Sequence, residues 1–165
     1  VETTNSFTLI VKIKKLLPIF LVIIFLNNCG YTPKYALIKN LNFTIDLEEV
    51  SGDREFNNLL KTRLARYKGG NENNKKNYKL NLKTIFNKNI NSKDGAGLAK
   101  DYELIMTVNT IIKSETIKTK KLVFEERFIM KKIDDSFDEK NYEKNIKENF
   151  ANTISDRIIL YLFKL

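Results

Sequence analysis

LNFTIDLEEVSGDREFNNLLKTRLARY, residues 41–67, changes its period part-way along. Leu41, Phe43, Ile45 and Leu47 alternate with polar residues, the period of two that marks a strand with one buried face. Ser51, Gly52 and Asp53 break the pattern. Beyond them Phe56, Leu59, Leu60, Leu64 and Tyr67 recur at helical spacing. Asp53 stands where a helix N-cap is expected, and Gly69 and Gly70 are the stop. A strand that leads straight into an amphipathic helix opens a plan in which helices pack on a sheet.

Downstream the period returns to two. In NYKLNLKTIF, 77–86, Tyr78, Leu80 and Leu82 alternate with Lys79, Asn81 and Lys83, which predicts a second strand reaching Asn87. The polar, glycine-bearing stretch 87–100 reads as a loop. DYELIMTVNTIIK, 101–113, aligns Tyr102, Leu104, Met106, Val108 and Ile112, with Ile105 and Ile111 on the other face. Residues 114–118 form a hairpin connection. KKLVFEERFIMKK, 120–132, aligns Leu122, Phe124, Phe128 and Met130, with Glu126 interrupting them. After a polar approach, Tyr142, Ile146, Phe150, Ile154, Ile158, Tyr161 and Leu165 trace one stripe of a last helix, whose final turns become strongly apolar. The order β-α-β-β-β-α predicts an α+β two-layer sandwich, a four-stranded sheet with two helices on one face.

The chain of 165 residues suits one domain and is 42% hydrophobic, enough for a core. Its formal charge is +9, from 29 basic and 20 acidic residues. Only Arg54, Arg63, Arg66, Arg127 and Arg157 are arginines; the other basic residues are lysines. Such a balance favours anionic partners: nucleic acid, an anionic membrane or an acidic glycolipid. Arginine is the residue that reads bases and phosphates with two parallel hydrogen bonds, and its scarcity argues against nucleic acid. The absence of histidine and the single cysteine exclude the usual zinc sites, a Ser-His-Asp triad and a Cys-His pair. No metal or cofactor is expected. The carboxylate pairs Glu48–Glu49 and Glu125–Glu126 join neighbouring strand residues, which point to opposite faces. Asp134–Asp135 falls in a turn, so no enzyme is expected.

The lone cysteine is well placed. Lys12, Lys14 and Lys15 precede the apolar run LLPIFLVIIFL, 16–26, and Cys29 follows three residues later. A run of this length falls short of the roughly 20 residues a bilayer span needs and suits a secretory signal. Leu26 and Cys29 fit the Leu-x-x-Cys of a bacterial lipobox; Asn27 and Asn28 depart from the small residues usual there. Residues 1–28 are therefore expected to be a lipoprotein signal peptide and 29–165 a single domain, with Cys29 as the lipid attachment site. The mature part keeps 26 basic and 19 acidic residues, so the positive charge belongs to the domain.

Three further stretches carry a resemblance. CGYTPKY, 29–35, resembles the mature start of the LPS-assembly lipoprotein family (LptE-like). DREFNNLLKTRLARY resembles its first helix, and ERFIMKKIDDSF followed by ENFANTISDRIILYL its last strand and C-terminal helix. The resemblance implies a non-enzymatic lipoprotein, anchored on the periplasmic face of the outer membrane. Such a protein plugs and assembles the LptD-type β-barrel translocon, binds lipopolysaccharide and helps deliver it to the outer leaflet. The alternative is another small periplasmic lipoprotein, a pilotin or assembly accessory. An RNA-recognition module would need exposed stacking aromatics, whereas Tyr102, Phe124 and Phe128 fall on core-like faces; no nucleic acid partner is expected. For the phosphates of lipopolysaccharide, two lysine groups are candidates: Lys118, Lys120 and Lys121 at the hairpin, and Lys88, Lys93 and Lys100 around the 87–100 loop.

Overall fold

The computed structural model describes residues 43–68 and 76–165. Cys29, the apolar run before it, Leu41, Gly69 and Gly70 lie outside these residues. Strand β1 spans Phe43–Gly52 and helix α1 spans Arg54–Leu64, extended by a 3-10 turn over Ala65–Tyr67. Strands β2 (Lys76–Lys93), β3 (Ala99–Lys113) and β4 (Lys120–Lys131) follow, and helix α2 covers Ser136–Phe163. The strands lie in chain order in one sheet. β1 pairs parallel with β2, with α1 as the crossover, and β2, β3 and β4 form an antiparallel meander. The predicted α+β order is the observed one.

Alternation along the strands builds the core. Tyr78, Leu80 and Leu82 of β2, and Leu104, Met106, Val108 and Ile112 of β3, are all buried on the face that carries the helices. α1 lies against β1 and α2 against β3 and β4. α1 contributes Phe56, Leu60 and Leu64 at spacings of four. α2 contributes Ile146, Phe150, Ile154 and Ile158, also four apart, with Ala151 and Leu162 beside them. Each of the leucine, isoleucine and phenylalanine side chains, fully buried, is worth about 1.5–3 kcal/mol of transfer free energy. No described element covers the opposite sheet face, where Val123 and Ile129 are mostly exposed.

The structure departs from the sequence reading in three places. β1 does not stop at Leu47. A bulge between Leu47 and Glu49 inserts Glu48 as an extra residue, so that Val50 resumes the inward pattern opposite Leu82. α2 begins at Ser136 rather than at Tyr142, because Asp135 caps it, accepting from the Phe137 and Asp138 amides at 2.8 and 2.9 Å. Its first turn shows no apolar stripe: Phe137 faces solvent. The third departure is the larger one. Residues 87–93 and 99–100 are strand, and the turn is only Asp94–Leu98, where the Asp94 carboxylate accepts from the Ala96 and Leu98 amides. This part of the hairpin is held by the backbone ladder, and its β2 half is mostly exposed, so it shows no alternation to read.

Asp53 caps α1 as expected, its carboxylate accepting from the Phe56 amide at 2.7 Å. The Asp53→Ala variant is expected to lose about 1 kcal/mol in chemical denaturation. Asp53→Asn, which keeps a capping oxygen, should recover most of that loss. Equal losses in the two variants would show that the charge, not the cap, carries the effect.

Candidate functional site

Two charge arrangements flank the helical layer. The first is a buried seam. Lys147 of α2 has a side chain only 8% exposed, and its ammonium lies 3.0 Å from Glu55, 3.6 Å from Glu143 and 3.7 Å from Asp53. It also sits 4.2 Å above the Phe86 ring. Burial pulls its pKa down, but the hydrogen bond it donates to Glu55 and the charge of the three carboxylates outweigh this and hold it above the usual lysine value. Lys88 of β2 continues the seam, 2.6 Å from Glu139 and 3.1 Å from Glu143, and 4.4 Å over the Tyr102 ring. There too burial opposes, and the bonds that Lys88 donates to Glu139 and Glu143 prevail in raising the pKa. Glu139 in turn is held below the carboxylate range, first by Lys88 and then by the Ile133 amide.

Glu126, the acid that interrupts the inner face of β4, is paired in the same way. Arg157 of α2 donates to it at 2.6 Å and to the Glu125 carbonyl at 3.2 Å, and lies 5.5 Å over the Phe124 ring.

The seam revises one candidate. Lys88 is not in a loop: it sits within β2 with both carboxylate partners on α2, so it ties strand to helix. Lys93 and Lys100 remain exposed beside the turn. Lys118, Lys120 and Lys121 are exposed too, in the connection to β4 and its first two residues, without a side-chain hydrogen bond or ion pair among the described residues. Consecutive strand residues point to opposite faces, so Lys120 and Lys121 diverge.

The register sets the two groups at opposite ends of the sheet. Lys120 faces Ile112, which faces Leu80 near the start of β2, while Lys93 closes β2 opposite Ala99. The strand from Leu80 to Lys93, at about 3.3 Å per residue, separates them by about 40 Å.

Antiparallel pairing brings lysines that the sequence reading missed to the Lys118–Lys121 end. Lys79 faces Lys113 across the ladder, and the bulged Glu48 bridges both, at 3.5 and 3.1 Å. That contact, led by the bond from Lys113, lowers the Glu48 pKa. Lys76 donates to the Leu165 carbonyl oxygen at 3.0 Å. A recess of about 330 Å³ opens here, lined by Lys76, Lys79, Lys113, Ser114 and Thr116 among others. Strand register was the missing signal: only pairing the start of β2 with the end of β3 joins residues 76–79 to 113–121.

No protein-family model and no curated protein sequence matches the chain. Among solved structures, rare lipoprotein B from Shewanella oneidensis superposes with a TM-score of 0.55 at 17% identity, over 72% of this chain and 92% of that one. The chain has the fold of rare lipoprotein B. A minor lipoprotein from Acinetobacter baumannii aligns less well, with a TM-score of 0.49 at 15% identity, over 72% and 91% of the two chains. At these identities the likeness to rare lipoprotein B is one of fold.

Proposed function

We propose that the protein is an outer-membrane lipoprotein, anchored through Cys29 on the periplasmic face, that plugs and assembles an LptD-type β-barrel and helps pass lipopolysaccharide to the outer leaflet. The observation that carries this reading is the joint occurrence of two features. The chain has the fold of rare lipoprotein B, and its one cysteine stands three residues past a signal-like apolar run. The role is structural and non-enzymatic. A barrel lumen is polar and wet, and suits a small domain whose open sheet face mixes lysine, asparagine and scattered apolar residues. Lysines supply point charges for lipopolysaccharide phosphates, and Lys93 with Lys100, and Lys118 with Lys120 and Lys121, are the exposed sets.

Mass spectrometry of the mature chain is expected to find a diacylglyceryl group on Cys29, and residues 1–28 still attached would reject the anchor. Affinity capture from outer membranes should recover a large β-barrel together with lipopolysaccharide. Recovery of a different outer-membrane complex would favour the accessory or pilotin role. Charge reversal of Lys118, Lys120 and Lys121 together is expected to lower lipopolysaccharide capture about a hundredfold, since each cation beside an anionic surface contributes on the order of 1 kcal/mol. The same experiment at Lys93 and Lys100 reads the other end. Undiminished capture by both folded variants would remove lysine recognition from the proposal.

A further inference from the structure

Charge is unevenly divided along the strand axis. The end formed by the start of β2, the end of β3 and the β3–β4 connection holds seven lysines, counting Lys164 beside Leu165, against Asp46, Glu48, Glu49 and Glu115. The excess there is three positive charges. The other end runs from the Phe86–Met106–Glu126 row through the turn and residues 132–144. It holds eight basic residues against nine acidic ones, a balance of minus one. At the basic end Lys118, Lys120, Lys121 and Lys164 carry no side-chain ion pair among the described residues, whereas Lys88 at the other end is spent on Glu139 and Glu143.

Two more features meet at the basic end. Leu160 and Phe163, one turn apart near the end of α2, are 60% and 66% exposed. Their position follows from Lys76, at the start of β2, reaching the Leu165 carbonyl. The described chain also begins here: Phe43 faces Lys76. Cys29 lies 14 positions upstream, so an anchor on it reaches this end within about 50 Å of extended chain.

We propose that this basic end is a docking surface for a bilayer rich in anionic phospholipid, with Phe163 and Leu160 entering the interface among the lysines. Exposed apolar side chains ringed by lysine are what such an interface selects. Apolar area enters the headgroup boundary, and each nearby cation adds about fivefold in partitioning. No described helix is long and apolar enough to cross a membrane, so the contact is one of surface. The Asp94–Leu98 turn, with its neutral-to-acidic surroundings, then points away from the lipid. The proposal rests on the anchored reading but not on lipopolysaccharide binding.

The chain contains no tryptophan, which gives a clean probe. The full lipidated chain carrying Phe163→Trp is reconstituted in vesicles of phosphatidylcholine, with and without phosphatidylglycerol, and quenched by brominated lipid. Leu98→Trp, 59% exposed in the turn, reports the far end. The expected result is a blue-shifted, quenched signal from Phe163→Trp only with phosphatidylglycerol, and an unquenched signal from Leu98→Trp in both. Adding Lys118→Gln, Lys120→Gln and Lys121→Gln should cut the Phe163→Trp quenching at least tenfold in lipid dependence. If that variant fails to fold, raising salt from 0.01 to 0.15 M, which shortens screening from about 30 to about 8 Å, should release the contact of the chain carrying Phe163→Trp alone.

Three outcomes would overturn the proposal: Phe163→Trp unquenched with anionic lipid, quenched equally in neutral vesicles, or matched by Leu98→Trp. Flotation separates the readings. A chain that floats with neutral vesicles while Phe163→Trp stays in water keeps its anchor and loses the docking surface. A chain that floats only with anionic vesicles loses the anchor and keeps the surface.

Discussion

Gly52→Ala is expected to destabilise the domain by about 4 kcal/mol. Gly52 ends β1 with φ at +104°, a conformation that L side chains rarely adopt. Space is the harder limit. A Cβ there would lie 1.8 Å from the Thr84 carbonyl oxygen, which belongs to the neighbouring strand and cannot swing aside as a side chain would. The Thr84 hydroxyl donates to the buried Asn57 side-chain oxygen at 2.8 Å and sits 3.2 Å from the Ser51 carbonyl, so moving Thr84 also breaks a buried polar contact. A drop in Tm of about 15 °C is the matching thermal effect for a domain of this size. Gly95→Ala is the control: its added methyl meets nothing within 4 Å and the backbone there is ordinary, so stability should stay within about 0.5 kcal/mol. A fall of less than about 3 °C for Gly52→Ala would show that the crossover relaxes freely around this residue.

Lys147→Met should cost about 2–3 kcal/mol. Methionine matches the apolar stem but leaves Asp53, Glu55 and Glu143 around an empty position. Removing one partner of a fully buried pair costs about 3–5 kcal/mol; here the carboxylates are partly in water, which lowers the figure. In the parent chain Glu139 is held below its ordinary value of 4.5, so the stability it contributes is present above about pH 4.5 and lost as pH falls through its folded pKa. Lys88 and Lys147 are raised, so their contribution is complete below the ordinary lysine value of 10.5 and lost at more alkaline pH. In Lys147→Met the three carboxylates lose their shared cation and repel one another, so raising salt, which screens that repulsion, should recover stability that the parent chain does not gain. Denaturation midpoints at low and high ionic strength decide it. A variant that responds to salt as the parent does would show that the seam adds packing, not charge balance.

The helices and the central strands were legible in the sequence because burial imposes a period on them. Phe56, Leu60 and Leu64, or Ile146 through Ile158, can face the sheet only if they recur every four residues. Tyr78 to Leu82 and Leu104 to Ile112 can do so only if they alternate. Where burial stops, the period stops: Asn87 to Lys93 are strand by virtue of backbone pairing with Ala99 to Ile105, and nothing in NKNINSK records that. The Glu48 bulge was equally hidden, since an inserted residue looks like the end of a strand. The lysines were visible as types but not as neighbours. Lys88 looked free and is bound by α2; Lys79 and Lys113, 34 positions apart, looked unrelated and face each other.

Among the described residues β4 closes the sheet on one side, with a row of backbone donors and acceptors that no described strand pairs, the kind of border on which a second chain can add a strand. Lys120, Lys121, Arg127 and Lys131 are spaced along it, and its two glutamates are engaged, Glu125 by Arg127 and Glu126 by Arg157. Two copies meeting border to border would press these cations together with no free carboxylate between them. The same lysine content that favours anionic partners therefore keeps the open side of the sheet from templating its own aggregation.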